Sequence, residues 1–216
     1  MVTNRNLDGV IRILKRLIRR WDEPVVGHYR GDPFTTLISC LLSLRTKDAT
    51  TRAASQRLFR LARTPQGMLK LSIPVIERAI YPVGFYRTKA RVVHHVCRTL
   101  LERYGGEVPG DLDELLTING VGRKTANLVV TLAFRKPGIC VDTHVHRISN
   151  RWGYVRTKTP EQTEFALRKK LPRRYWRIFN DLLVTFGQNL CHPTSPWCSR
   201  CPLEADCAKV GVVHCR

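Results

Sequence analysis

The stretch LLTINGVGRKTANLVV, residues 115–130, decides the fold class. Apolar residues at helical spacing flank Gly120-Val121-Gly122 on both sides, so it reads as a helix, a tight turn and a second helix. Gly120 and Gly122 are expected to take positive φ and to let the backbone approach a ligand closely. The second helix then opens with free N–H groups and the positive end of its dipole, which suits a phosphate.

Working outward, the 3.6-residue period recurs along the chain. It predicts helices in PFTTLISCLLSL (33–44), DATTRAASQRLFRLA (48–62, with Asp48 as N-cap), TPQGMLKLS (64–72), IPVIERAI (73–80) and TKARVVHHVCRTLLERY (88–104). The last is stopped by Gly105 and Gly106. Beyond the central stretch, DTHVHRISNRW (142–152), TPEQTEFALRKKL (159–171) and RRYWRIFNDLLVTFGQNL (173–190) continue the pattern. GICVDTHV (138–145) is the one tempting strand. The expected fold class is all-α, with no internal repeat and no low-complexity linker.

Lys and Arg number 37 against 17 Asp and Glu, a formal net charge of +20. A folded chain this basic calls for an anionic partner, and nucleic acid fits better than a membrane because no long apolar run occurs. Near the start, Leu7, Val10, Ile11, Leu14, Leu17 and Ile18 share one helical face. With Asp8 and no Ser-rich tail, this reads as an ordinary packed helix rather than a transit peptide. No signal peptide is read, so a reducing compartment is expected, where disulfides are rare.

That bears on the eight cysteines. Cys40, Cys97 and Cys140 lie in apolar contexts and read as small buried hydrophobes. Cys191, Cys198, Cys201 and Cys207 are spaced Cys-x6-Cys-x2-Cys-x5-Cys, with Cys215 trailing outside the pattern. Clustered thiols in a reducing compartment point to a metal. The spacing leaves tetrahedral zinc and an iron–sulfur cluster both open.

Two residues carry chemistry. Lys124 falls in the first turn of the second hairpin helix, beside Arg123. Both the dipole and the neighbouring guanidinium disfavour an ammonium there, and a neutral amine is a nucleophile. The plainer reading is a lysine that touches phosphate. In VDTHVHR (141–147), Asp142 stands where a helix N-cap belongs, followed by Thr143 and His144. It reads either as a cap alone or as a carboxylate that accepts a proton or stabilises a cationic sugar.

Residues 115–130 resemble a helix-hairpin-helix motif, and Lys124 with Asp142 eighteen residues on resemble the catalytic pair of the endonuclease III family. That family belongs to the helix-hairpin-helix Gly/Pro-Asp DNA glycosylases. The resemblance runs from PFTTLISCLLSLRTKD to Cys207. It implies two helical domains, a six-helix barrel over 26–136 and an iron–sulfur domain built from 1–25 and 137–216, with a DNA-binding cleft between them. It implies that the four clustered cysteines hold a [4Fe–4S] cluster and that Cys215 does not take part. It implies a bifunctional DNA glycosylase/AP lyase that removes oxidised pyrimidines and nicks the abasic site through a Schiff base on Lys124.

The resemblance also places Gly120, Val121, Gly122, Arg123, Thr143 and His144 on DNA. It puts Arg45 at the gap-filling position, where relatives usually have Gln, and Phe85 at the wedge position. Cys40 falls where adenine-mismatch relatives carry a catalytic Glu, and Lys124 where monofunctional thymine-mismatch relatives carry Tyr. Asn119 replaces the usual Pro before Gly-Val-Gly, which is expected to soften the turn. The implied partner is double-stranded DNA with damaged pyrimidines or abasic sites, bound by a monomer, with no membrane. The implied location is cytoplasmic and nucleoid-associated, without organellar targeting.

Overall fold

The computed structural model describes residues 1–21 and 31–216. The chain divides into two compact units. One comprises the described residues of Met1–Pro24 together with Ile139–Arg216, the other those of Val25–Gly138. The expected boundary near residue 26 lies outside the described residues. All regular structure among the described residues is helical.

Helix α1 (Leu7–Ile18) belongs to the discontinuous unit, and α2 (Pro33–Ser43), α3 (Asp48–Leu61), α4 (Pro65–Leu69), α5 (Ile73–Ile80), α6 (Tyr86–Tyr104), α7 (Leu112–Leu116) and α8 (Arg123–Leu132) build the continuous one. Asp32 starts α2 by accepting from the N–H groups of Phe34 and Thr35, with Pro33 at the first turn. α2 is buried on nearly every side, from Phe34 to Leu42, and packs against α3, α6 and α8. A helix buried all round belongs in the middle of a core. Ala90, Val93, Val96, Cys97 and Leu100 of α6 and Ala126, Val129 and Val130 of α8 complete that core. Gly105, at φ +60, ends α6 as expected. Asp48 is not the cap of α3. Lys47 holds that position and Asp48 lies in the first turn, where a carboxylate faces the positive end of the dipole.

In the discontinuous unit α1 joins α9 (Thr143–Arg151), α10 (Pro160–Lys170) and α11 (Trp176–Asn189). Leu7, Val10, Ile11 and Leu14 are buried, and α1 packs on α11. Asp8, on the outer face, pairs with Arg174 and accepts from the Tyr175 hydroxyl, which holds its carboxyl below the usual range. Trp152 packs edge-on to Phe179, and Phe186 lies 6.4 Å from Trp152 between ring centroids. The tempting strand is not one. Ile139, Cys140 and Val141 are all buried, so there is no alternation of faces, and no strand occurs among the described residues. No helix among the described residues is long and apolar enough to cross a membrane.

Candidate functional site

The hairpin is built from α7, a four-residue turn and α8. Val121 N–H donates to the Ile118 carbonyl at 2.9 Å, closing Ile118-Asn119-Gly120-Val121. Gly120 has φ +94 and Asn119 does not have positive φ, the pattern of a type II turn. Gly120 is required twice over. A Cβ there would also lie 2.6 Å from Val92 Cγ1 on α6. Asn119, in place of the family's Pro, therefore leaves the turn closed.

Gly122 departs from expectation. Its φ is −89° and ψ 170°, extended backbone open to any residue. It serves instead as the N-cap of α8, and no side chain caps that helix. Around a Cβ at Gly122 the nearest 4 Å are open. Gly122 has no side chain to cap the first turn of α8, which suits a ligand at that helix end. Val121 is buried and anchors the turn, while Gly120 and Gly122 are exposed.

Lys124 is half-buried in the first turn of α8. Its charge is felt at Cys40, a fully buried thiol on α2 that burial pushes up to about 12. Cys40 is therefore an inert core residue beside the lysine. Arg123 shares the half-buried rim.

Within the discontinuous unit, Asp142 caps α9. Its Oδ1 accepts from the N–H groups of His144 and Val145, both at 2.9 Å. Both bonds use Oδ1. The extended segment leading into it is held by Asn180, whose Nδ2 donates to the Cys140 carbonyl at 3.2 Å. Thr143 is exposed and His144 half-buried, its Nδ1 3.1 Å from Arg147 Nη2. α9 and α11 approach so closely here that a Cβ on Gly187 would meet His144 Nδ1 at 2.5 Å. Gly187 gave no signal in the sequence, since a lone glycine inside a helical pattern carries no partner with it.

Cys191, Cys198, Cys201 and Cys207 line one cavity, together with Arg151, Trp152, Trp197 and Lys209. It encloses about 380 Å³ of empty space, counting the part open to solvent. All eight cysteines are free thiols. Burial raises Cys201 to about 11 and Cys207 also rises, with further upward pushes from the neighbouring cysteines. Arg151 Nη1 lies 3.4 Å from Cys191 Sγ, and the Lys209 N–H donates to Cys207 Sγ at 3.3 Å. Both donors would also stabilise a thiolate at these positions. Among the described residues no group of three or more His, Cys, Asp or Glu could hold a metal ion as placed. Four sulfurs around one cavity, with N–H groups aimed at two of them, fit a larger thiolate-bound group. Cys215 is exposed and does not line the cavity.

Arg45 and Phe85 meet in the continuous unit. The guanidinium carbon of Arg45 lies 5.7 Å from the centroid of the Phe85 ring, and Phe85 is 63% exposed. Both have positive φ, 52° and 59°. Lys89, which the sequence did not single out, is buried directly behind them.

Residues 38–173 match the model of the HhH-GPD superfamily of base excision DNA repair proteins. The chain is 46% identical over 195 residues to endonuclease III of Thermotoga maritima, covering 90% of each. It is 36% identical over 197 residues to endonuclease III of Escherichia coli, covering 91% of this chain and 93% of that one. Its fold matches a solved structure of a trapped endonuclease III–DNA covalent intermediate with a TM-score of 0.87, at 36% identity and 97% coverage of both chains.

Proposed function

Because the chain belongs to the HhH-GPD superfamily of base excision DNA repair proteins, we propose that Lys124 and Asp142 are the catalytic residues of its glycosylase and AP lyase activity, and that the substrate is an oxidised pyrimidine in duplex DNA. The observation that carries the reading is a lysine in the first turn of an uncapped helix that follows a closed type II turn. The start of α8, with no side-chain cap, holds the DNA backbone without reading bases, and holds Lys124 against the sugar. Gly120, Val121, Gly122 and Arg123 make that contact. Thr143 and His144, at the start of α9, make a second one. The protein works on DNA as a monomer in the cytoplasm.

The chemistry proceeds from an extruded nucleotide. Nζ of Lys124 attacks C1′ as the bond from C1′ to the base breaks, and the base leaves with the electron pair and with the proton that the attacking amine gives up by way of Asp142. Asp142 stabilises the positive charge that develops on the sugar, and takes the proton released from the attacking amine. The sugar opens to a Schiff base on Lys124. Loss of a C2′ proton and of the 3′ phosphate then nicks the strand by β-elimination. Water releases the lysine.

Cys191, Cys198, Cys201 and Cys207 would hold a [4Fe–4S] cluster, which when bound cross-links the C-terminal loops through iron–thiolate bonds and shapes them for DNA. The purified protein is expected to be yellow-brown with broad absorption near about 400 nm. Colourless protein with stoichiometric zinc and no iron after anaerobic preparation would contradict this assignment.

Arg45 fills the gap left by the extruded nucleotide and Phe85 wedges into the stack. Arg45→Ala and Phe85→Ala should slow release of a base from duplex DNA by about tenfold or more. They should slow nicking of a preformed abasic site far less, because extrusion costs less there. Equal losses on the two substrates would remove the insertion role.

The function itself is tested by a panel of duplex oligonucleotides, each with one lesion. Oxidised pyrimidines should be excised and nicked, and undamaged duplex left intact. A panel in which only alkylated purines are cut would overturn the substrate class.

A further inference from the structure

We propose that Lys89 is a positioning residue that locks two loops into one platform, so that Arg45 and Phe85 are presented to the duplex together; this rests on the insertion reading given above. The observation behind it is a set of hydrogen bonds from one buried ammonium. Lys89 sits in the first turn of α6 and is only 8% exposed. Its Nζ donates to the Leu42 carbonyl at 2.7 Å, to the Leu44 carbonyl, and to Thr46 Oγ1 at 3.1 Å. An ammonium has three protons, and three acceptors meet them.

The acceptors explain why a cation stands here. Leu42 and Leu44 lie at the end of α2, where the last carbonyls of a helix lack partners and the dipole is negative. Immediately after them comes Arg45, at φ 52. Thr46 Oγ1 also accepts from the Gly84 N–H at 3.2 Å, which joins the loop before α6 to the loop after α2. At Gly84 the two backbones touch. A Cβ there would lie 2.6 Å from the Arg45 carbonyl oxygen. Phe85 follows at φ 59.

Left-handed backbone is unfavourable for Arg and Phe alike, and it persists where the surroundings over-determine it. Here the surroundings are Lys89, Thr46 and Gly84. Burial lowers Lys89 to about 8, a desolvation cost that the three hydrogen bonds to its ammonium offset. A lysine placed only to stabilise the core would not need to tie together the residues on either side of two exposed, strained side chains. The same bonds fix the spacing between a gap-filling head and a wedge.

The test compares one lesion in two settings, a fully paired duplex and a bubble of unpaired bases, in which extrusion costs little. Single-turnover base release is measured, with 2-aminopurine beside the lesion to report unstacking. Lys89→Met should slow release from paired duplex by about thirtyfold, since it removes three charge-assisted hydrogen bonds. In the bubble it should stay within about threefold of the wild type. The 2-aminopurine brightening seen with the wild type on paired duplex should be lost. Thr46→Val, which removes only the hydroxyl shared by Lys89 and Gly84, should move the same way by about fivefold. It decides the matter where Lys89→Met fails to fold.

Arg45→Ala and Phe85→Ala run beside them. If these two behave like the wild type on both substrates, the insertion reading falls and the role of Lys89 with it. If they are slow on paired duplex and spared in the bubble, while Lys89→Met and Thr46→Val match the wild type or lose both substrates equally, the insertion reading stands and Lys89 is not its positioning residue.

Discussion

Lys124→Gln should abolish the covalent adduct that borohydride traps between the protein and an abasic or oxidised-pyrimidine duplex. Only an amine can form a Schiff base with the opened sugar, and the Gln amide cannot replace it. Binding should stay within about threefold, because the backbone N–H groups at the start of α8 remain and carry no dependence on the side chain. The fold should also survive. Lys124 is half-buried, and Gln is a comparable helix former. The expected pattern is therefore loss of adduct and of nicking with retained affinity, read by gel shift beside the trapping reaction. Loss of binding and adduct together would mean that Lys124 is a phosphate contact rather than the nucleophile.

Asp142→Asn should separate folding from catalysis in a different way. Asn is as good an N-cap as Asp, so its side chain can still accept from the N–H groups of His144 and Val145. Stability should change by less than about 1 kcal/mol. What disappears is the negative charge. It stabilises the cation on the sugar and takes a proton from the attacking amine, and its loss should slow base release by about a hundredfold or more. Nicking of a ready-made abasic site should suffer less, because that sugar already opens to an aldehyde. Single-turnover rates on the two substrates would show the difference, and unchanged rates on both would assign Asp142 to the cap alone.

The all-α class was legible because helical period and helix punctuation agree along the chain. Gly105 stops α6, and Thr159 with Pro160 opens α10. The hairpin was legible because its two helices flank one short turn, a purely local arrangement. Its finer detail was not. Gly120 takes positive φ, but Gly122 is an extended cap, and composition alone does not distinguish a glycine needed for its torsion from one needed for its bareness. Asp48 was one position from the cap because Lys47, without a capping side chain, occupies it.

The cysteine spacing is local too, and it foretold that four thiols would share one place, yet the Arg151 contact to Cys191 spans forty residues. Lys89 was invisible for the same reason. Its partners lie more than forty residues earlier, and in the sequence it is one lysine among many in a basic chain. Interactions set by tertiary packing leave no period or motif behind them.

The central claim is that Lys124 forms the covalent bond to DNA. The adduct trapped by borohydride on an abasic duplex should be digested and its modified peptide identified by mass spectrometry. The sugar remnant should lie on Lys124, in the peptide that spans the start of α8. A remnant on any other lysine, or on the N-terminal amine, would contradict the account even if the protein were fully active.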